Sequence, residues 1–325
     1  MRTLLSAFAL LSCSLSAGET TFITFASCHK ESRPAPAFET IAAQRPDLFI
    51  WMGDNIYGDS DDIEVLVQKY RKALARPAYQ RLMQTTEIIG TWDDHDYGAN
   101  DVGKEFSIKE QSQQAFLDFL QVPMDSPRRS RRGVYACHDY GEEGQSVRVI
   151  LLDTRYHRDS LDSANGTILG EEQWRWLEEK LKTSPARVNL IVSSIQCLAA
   201  EHRFEKWANF PKERQRLLDL LARPEMPPVV ILSGDRHLAE ISVEDKAVGY
   251  PLYDITTSSL NSSFGGNATE TNSLRLGENY GANNYGSLTI DWDRRAPVIT
   301  ATVHSERGRP VRATTFTLDR SQEGQ

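Results

Sequence analysis

The stretch TWDDHDYGAND, Thr91 to Asp101, sets Asp93, Asp94, Asp96 and Asp101 around one histidine, His95, directly after the apolar run Ile88-Ile89-Gly90. Carboxylates this close repel one another, and each costs several kcal/mol to desolvate unless a cation neutralises it. The stretch is therefore either a solvated acidic turn or part of a metal site. Other residues of the same kind follow short apolar runs elsewhere: Cys28, Asp54, Tyr57, Asp235 and His237. A thiolate, a phenolate and an imidazole from Cys28, Tyr57 and His237 suit a transition metal. Asp94 and Asp235 offer only carboxylate oxygen and suit a hard cation such as calcium or magnesium. Asp54, with two oxygens, can bridge both. Such a layout suits two-metal hydrolysis, in which a hydroxide attacks phosphorus in line while the ions clamp the phosphoryl group. Each residue alone is a weak signal, because Gly-Asp after a strand is a common turn and a buried Cys is usually an inert core residue. Their joint occurrence at successive run ends is what points to a site.

The elements that must position them are six short β-branched or apolar runs. TTFITFAS ends at Cys28-His29, LFIWM at Gly53-Asp54, and EIIGTW at Asp93-Asp94-His95; VRVILL ends at Asp153-Thr154-Arg155, VNLIVSS at Ile195-Gln196, and VVILS at Gly234-Asp235-Arg236-His237. In α/β sheets the carboxyl edge of the strands is where ligand sites form. Helical stretches alternate with these strands. FSIKEQSQQAFLDFL places Ala115, Phe116, Phe119 and Leu120 on one face. LGEEQWRWLEEKLK runs from acids to lysines along the helix dipole with Trp174, Leu177 and Leu181 inward, and PKERQRLLDLLAR opens on Pro211. The Ser-, Gly- and Asn-rich stretch 261–284 reads as a long loop near the site, and YGSLTIDWD, VITATVHSE and ATTFTLD alternate like antiparallel strands.

At 325 residues with 40% hydrophobic content, the chain can bury a substantial core. A net charge of −8 and no long basic run argue against nucleic acid as a partner. A small, diffusible or lipid-borne substrate is the expectation. The opening MRTLLSAFALLSCSLSAGET has the pattern of an export signal. Cleavage near Ala17 or Gly18 would release a periplasmic or secreted protein, whereas LLSC resembles a lipobox that would make Cys13 a lipid tether to a membrane. Cys28, Cys137 and Cys197 remain after the leader, an odd number that leaves one thiol free or occupied as a ligand. Cys137 with Cys197 is one pairing open to them. His29, His138, His157, His202 and His304 read as surface or packing residues, and no G-x-S-x-G elbow supports a serine hydrolase.

The motifs FASC, GDNIYGD, WDDHDYGAND, LLDTRYHR and SGDRH resemble those of the PhoD-like alkaline phosphatase and phosphodiesterase family, a branch of the calcineurin-like metallophosphoesterases. The resemblance runs from about Phe25 to the final strands. It implies an α/β fold, a four-layer αββα sandwich, with residues 19–325 as a single domain behind a signal peptide at 1–18. It implies a ferric ion held by Cys28, Asp54, Tyr57 and His237, with calcium at Asp54, Asp94 and Asp235. His95 falls on the histidine that contacts phosphate and assists the leaving group, which with Asp54 makes the catalytic pair; Arg155 and Arg236 are candidates either for phosphate contact or for a salt bridge to a neighbouring Asp. A middle histidine ligand of the superfamily has no counterpart, since Ser194 and Gln196 occupy that region. The implied activity is hydrolysis of phosphate monoesters or diesters, with a phospholipase-type phosphodiesterase or a non-catalytic metal-binding protein of the same fold as the alternatives.

Overall fold

A computed structural model of the chain describes residues 20–163, 165–265, 269–318 and 320; the expected signal peptide and Cys13 lie outside them. Among the described residues, twelve strands form two six-stranded sheets. The first sheet contains β1 (Thr20–Ala26), β2 (Leu48–Met52), β3 (Glu87–Thr91), β10 (Asn284–Asp291), β11 (Val298–Ser305) and β12 (Pro310–Thr317), in the order β12-β11-β10-β1-β2-β3. The second contains β4 (Ala136–Glu142), β5 (Gln145–Leu151), β6 (Val188–Ser193), β7 (Val229–Ser233), β8 (Ala239–Glu244) and β9 (Leu252–Thr257), in the order β4-β5-β6-β7-β9-β8. β1, β2 and β3 are parallel, as are β5, β6, β7 and β9, while β10 adds to the edge of β1 in antiparallel register.

Side-chain alternation along the strands builds three apolar layers between and outside the sheets. Leu48, Ile50 and Met52 of β2 point into the core between the sheets, while Phe49 and Trp51 of the same strand point outward to helices. On the other sheet Val147, Val149 and Leu151 of β5 face the shared core and Ile150 faces out. The outer layer on the first sheet is made by α1 (Ala37–Gln44), α2 (Ile63–Leu74), α3 (Pro77–Thr85), α4 (Asp94–Tyr97) and α5 (Lys109–Phe119). On the second it is made by α6 (Gly170–Lys182) and α7 (Pro211–Ala222), whose Trp174, Leu177, Leu181, Leu217 and Leu221 are buried. The result is the four-layer αββα sandwich. Strands buried on both faces read as near-continuous apolar runs, which is why six of them are visible in the sequence.

The remaining elements carried weaker signals. β4, ACHDYGE, is an edge strand with mixed polarity, and β8 and β9 carry Glu240, Ser242 and Asp254 among their buried residues, so none reads as an apolar run. Cys137, on β4, and Cys197 are free thiols, so the disulfide left open by the sequence is not formed. No helix among the described residues is long and apolar enough to cross a membrane.

β3 delivers the acidic stretch to the site and lies unusually close to β2. Gly90 pairs with Trp51, and a Cβ at Gly90 would meet the Trp51 Cβ at 2.4 Å and its carbonyl oxygen at 2.9 Å. Gly90→Ala should therefore cost about 1–3 kcal/mol of stability in urea unfolding through forced strand separation. An unchanged midpoint would show that β2 and β3 do not need this close approach.

Candidate metal centre

The parallel strands of both sheets end at one edge of the sandwich, and the loops beyond those ends meet. Thr91 at the end of β3 donates its hydroxyl to the Leu152 carbonyl just past β5 at 2.6 Å. Ser27 after β1 donates to the Thr257 carbonyl at the end of β9 at 3.2 Å. The chain must then turn sharply while keeping side chains aimed at the common centre. Cys28, Asp54, Asp235 and His237 all adopt the left-handed backbone region, with φ of 55°, 52°, 70° and 55°. Asp59 and Asp101 do so as well, so six of the eight non-glycine residues with positive φ among the described residues belong to this edge. Each such conformation costs of order 1–3 kcal/mol and persists only where its surroundings enforce it. Gly53, beside Asp54, has φ of 100° and no room for a side chain, since a Cβ would stand 2.5 Å from that of Asp93.

Asp54 is the hub. Its Oδ2 lies 3.3 Å from the Cys28 Sγ and 3.4 Å from the Tyr57 hydroxyl, and its buried Oδ1 has no hydrogen-bond partner. The Tyr57 hydroxyl is in turn 3.3 Å from His237 Nε2. His237 Nδ1 meets the Ser262 carbonyl, which can only accept, so Nδ1 carries the proton and Nε2 keeps its lone pair for a metal. Among the described residues, potential ligand atoms come within 4.8 Å of one another in four sets: Cys28, Asp54 and His237; Asp54, Asp94 and His95; Asp54, Asp93, Asp94 and Asp235; and Asp94, Asp101 and Glu205. Asp54 belongs to three of the four. The fold thus brings Cys28, Asp54, Tyr57, Asp94, His95, Asp235 and His237 to one place. Gln196 is not among them, because its amide is bonded to Glu240 and Thr256.

The crowded acids have separate tasks. Asp96 accepts the backbone N–H of Asp93 at 2.6 Å and of Asn55 at 3.1 Å, which fixes the turn into α4. Asp93 accepts from the Arg155 guanidinium at 2.6 Å and from the Ser194 hydroxyl at 2.6 Å. Asp94 accepts the N–H groups of His95 and Asp101 at 2.9 and 2.7 Å, and His95 Nδ1 sits 2.5 Å from Asp59. Of the two roles the sequence left open for Arg155, the structure shows the ion pair: the side chain is wholly buried, pairs with Asp93 and also with Glu205 at 2.6 Å, and braces Asp93 from beneath. Arg236 is held by Glu270 at 2.5 Å. Asp59 and Glu205 escaped the sequence reading: Asp59 is one acid in a polar turn, and Glu205 lies in the loop after β6, 50 residues from Arg155, with no local pattern to mark it.

Without a cation these charges are poorly matched. Burial lifts the Asp54 carboxyl well above the usual carboxylate range, and the charges of Asp94 and Asp93 lift it further. Burial and then Asp93 and Asp94 do the same to Asp235, and burial with Asp54 raises the Cys28 thiol. Burial would also raise Asp94, but Arg155 and His95 outweigh it and hold that carboxyl below its ordinary value. Burial disfavours His95 as a cation, yet the hydrogen bond to Asp59 and the charge of Asp94 carry it up to about 9. Burial brings His237 down to about 4, leaving it the neutral imidazole that ligates metals. A bound multivalent cation inverts this logic for a thiol and carboxylates. The donor set, the orphaned Asp54 oxygen and the unprotonated Nε2 of His237 all suit one.

Comparison with known proteins adds to this geometry. The family model described as PhoD-like phosphatase matches residues 22–302. Alkaline phosphatase D of Bacillus subtilis (strain 168) is 24% identical over a 266-residue alignment that covers 66% of this chain and 45% of that protein, so the chain spans less than half the length of this relative. The solved structure of PhoD superposes with a TM-score of 0.74 at 18% identity, covering 93% of this chain and 70% of that one, a likeness of fold.

The buried ion pairs around Arg155 allow a direct check. Arg155→Met would strand Asp93 as a buried acid without its cation, while Glu205 keeps its buried ion pair with Arg158 at 3.0 Å, a change of about 3–5 kcal/mol. Urea unfolding of metal-free protein should reveal that loss. Full stability with only a raised KM would instead return Arg155 to substrate contact.

Proposed function

This chain belongs to the PhoD-like phosphatase family, and we propose that it is an exported, metal-dependent phosphoric ester hydrolase, acting on monoesters or diesters at the cluster centred on Asp54. The observation that carries this reading is the membership of Asp54 in three overlapping ligand sets, with one oxygen unpartnered. Cys28, Asp54, Tyr57 and His237 would hold a ferric ion, and Asp54, Asp94 and Asp235 a calcium ion. Bound there, the cations supply Lewis acidity toward a phosphoryl group and neutralise the crowded carboxylates.

The chain's own residues account for the rest. Asp59 fixes His95 through Nδ1, and the Tyr57 ring packs against the imidazole with centroids 4.2 Å apart. This leaves Nε2 as the atom that hands a proton to the leaving oxygen. Lys30, Arg33 and Arg203 line the same cleft of about 640 Å³ and make no ion pair among the described residues. They draw an anionic ester toward an acidic floor that would otherwise repel it. Arg155, Asp93 and Ser194 keep that floor in place.

Metal analysis of the purified protein, together with turnover of nitrophenyl phosphate and bis-nitrophenyl phosphate, tests the proposal. Iron and calcium with activity are expected; a metal-loaded protein inert on every ester would be a binding protein of this fold. Charge transfer to ferric iron should colour the protein, and Tyr57→Phe should shift or abolish that band. A colourless, fully active zinc protein would remove the ferric assignment. EGTA should abolish turnover, and added calcium should restore it.

Two variants separate proton donation from metal binding. His95→Ala should slow alkyl phosphate esters by about two to four powers of ten, far more than nitrophenyl esters, at unchanged metal content. Asp94→Ala should lose the second metal and slow both alike. Equal slowing of both substrates by His95→Ala would make His95 a phosphate clamp, not an acid.

A further inference from the structure

The cleft is not uniformly polar. Phe204 and Phe264 are two of four large hydrophobic side chains left exposed among the described residues, at 38% and 67%, and both line the cleft that contains Tyr57, His95 and His237. One face of Phe264 lies on the His237 imidazole, centroids 3.9 Å apart and planes 32° from parallel, so the ring is anchored on the ligand cluster while the rest of it stays open to solvent. Phe204 is flanked by guanidinium groups, that of Arg236 at 4.3 Å and that of Arg203 at 5.1 Å from the ring centre. Arg236 is itself held by Glu270, so this stack is fixed from behind. Aromatic side chains this exposed leave apolar surface in water, and their grouping in one cleft marks a surface that a ligand covers.

We propose that Phe264 and Phe204 form an aromatic subsite for the organic part of the ester, so that the protein selects phosphate esters carrying a planar aromatic group, aryl or nucleobase, over glycerol-type esters. The inference rests on the phosphatase reading for the nature of the ligand. A planar ring stacks on the open face of Phe264 and on the arginine-flanked Phe204, gaining both buried apolar area and contact between π-faces and guanidinium groups. A small polyol gains neither, and its hydroxyls would lose water against the rings.

Phosphonates, which are not hydrolysed, separate binding from turnover. Calorimetric titration of the metal-loaded protein with phenylphosphonate and with 3-hydroxypropylphosphonate should show the phenyl compound binding about tenfold tighter. Phe264→Ala and Phe204→Ala should each lower that ratio, and the double variant should bring it close to one. Equal affinities in the unaltered protein, binding of neither compound, or a ratio that survives in the double variant would overturn the subsite. Turnover of phenyl and glyceryl phosphate esters is measured alongside. A protein that prefers phenylphosphonate but hydrolyses neither ester would overturn the phosphatase reading and leave the subsite standing.

Discussion

A fully buried carboxylate with one unpartnered oxygen, flanked by a thiol, a phenol and three further acids, is costly to keep ionised in a folded protein. Asp54 is that residue, and burial together with its neighbours' charges disfavours its ionised form. Burying such a group is tolerable only if a cation completes it, or if the proton stays on. Much of the rest of the molecule is arranged around this constraint. Arg155 supplies the permanent positive charge on the far side of the cluster, paired to Asp93 and Glu205, and it helps hold Asp94 ionised while leaving the Asp54 face open.

The same constraint explains where backbone strain is concentrated. A side chain on a regular strand points to one face of the sheet and cannot reach a centre beyond the strand end. Turning Cys28, Asp54, Asp235 and His237 into the left-handed region aims them there at a conformational cost. That cost is sustained by packing the sequence makes elsewhere: Phe25, Ile50, Leu151, Val192 and Leu232 between the sheets, and Trp51 and Trp174 on the outer faces. The two sheets also clasp each other directly at this edge, through Thr91 to Leu152 and Ser27 to Thr257.

Above the floor the character changes from buried and acidic to partly exposed, cationic and aromatic. His95 stands at the boundary, held by the exposed Asp59 on one side and by the Tyr57 ring on the other. Lys30, Arg33, Arg203, Phe204 and Phe264 come from loops after β1, β6 and β9, segments free to vary without disturbing the strand ends beneath them. Buried acidic ligand-type groups and exposed cationic and aromatic groups are thereby separated along the depth of the cleft.

The sequence by itself determined the strands and the identity of the residues at their ends. Strands buried on both faces must be continuous apolar runs, and a Cys, Tyr, His or cluster of Asp placed immediately after such a run stands out against it. The three helices with clear apolar spacing, those of Ala115 to Phe119, Trp174 to Leu181 and the one opened by Pro211, were legible for the same reason. The edge strand β4 and the polar-bearing β8 and β9 were not, because a strand with one solvated face or with buried hydrogen-bonding groups loses the apolar signature. Tertiary structure alone decided what each charged group does. Arg155 was open to a phosphate or to a neighbouring Asp until the fold buried it between Asp93 and Glu205, and Asp59 acquired meaning only when His95, 36 residues away, was brought beside it. Local pattern encodes burial, but the pairing of charges depends on which loops meet in space, and that is fixed only when the two sheets pack.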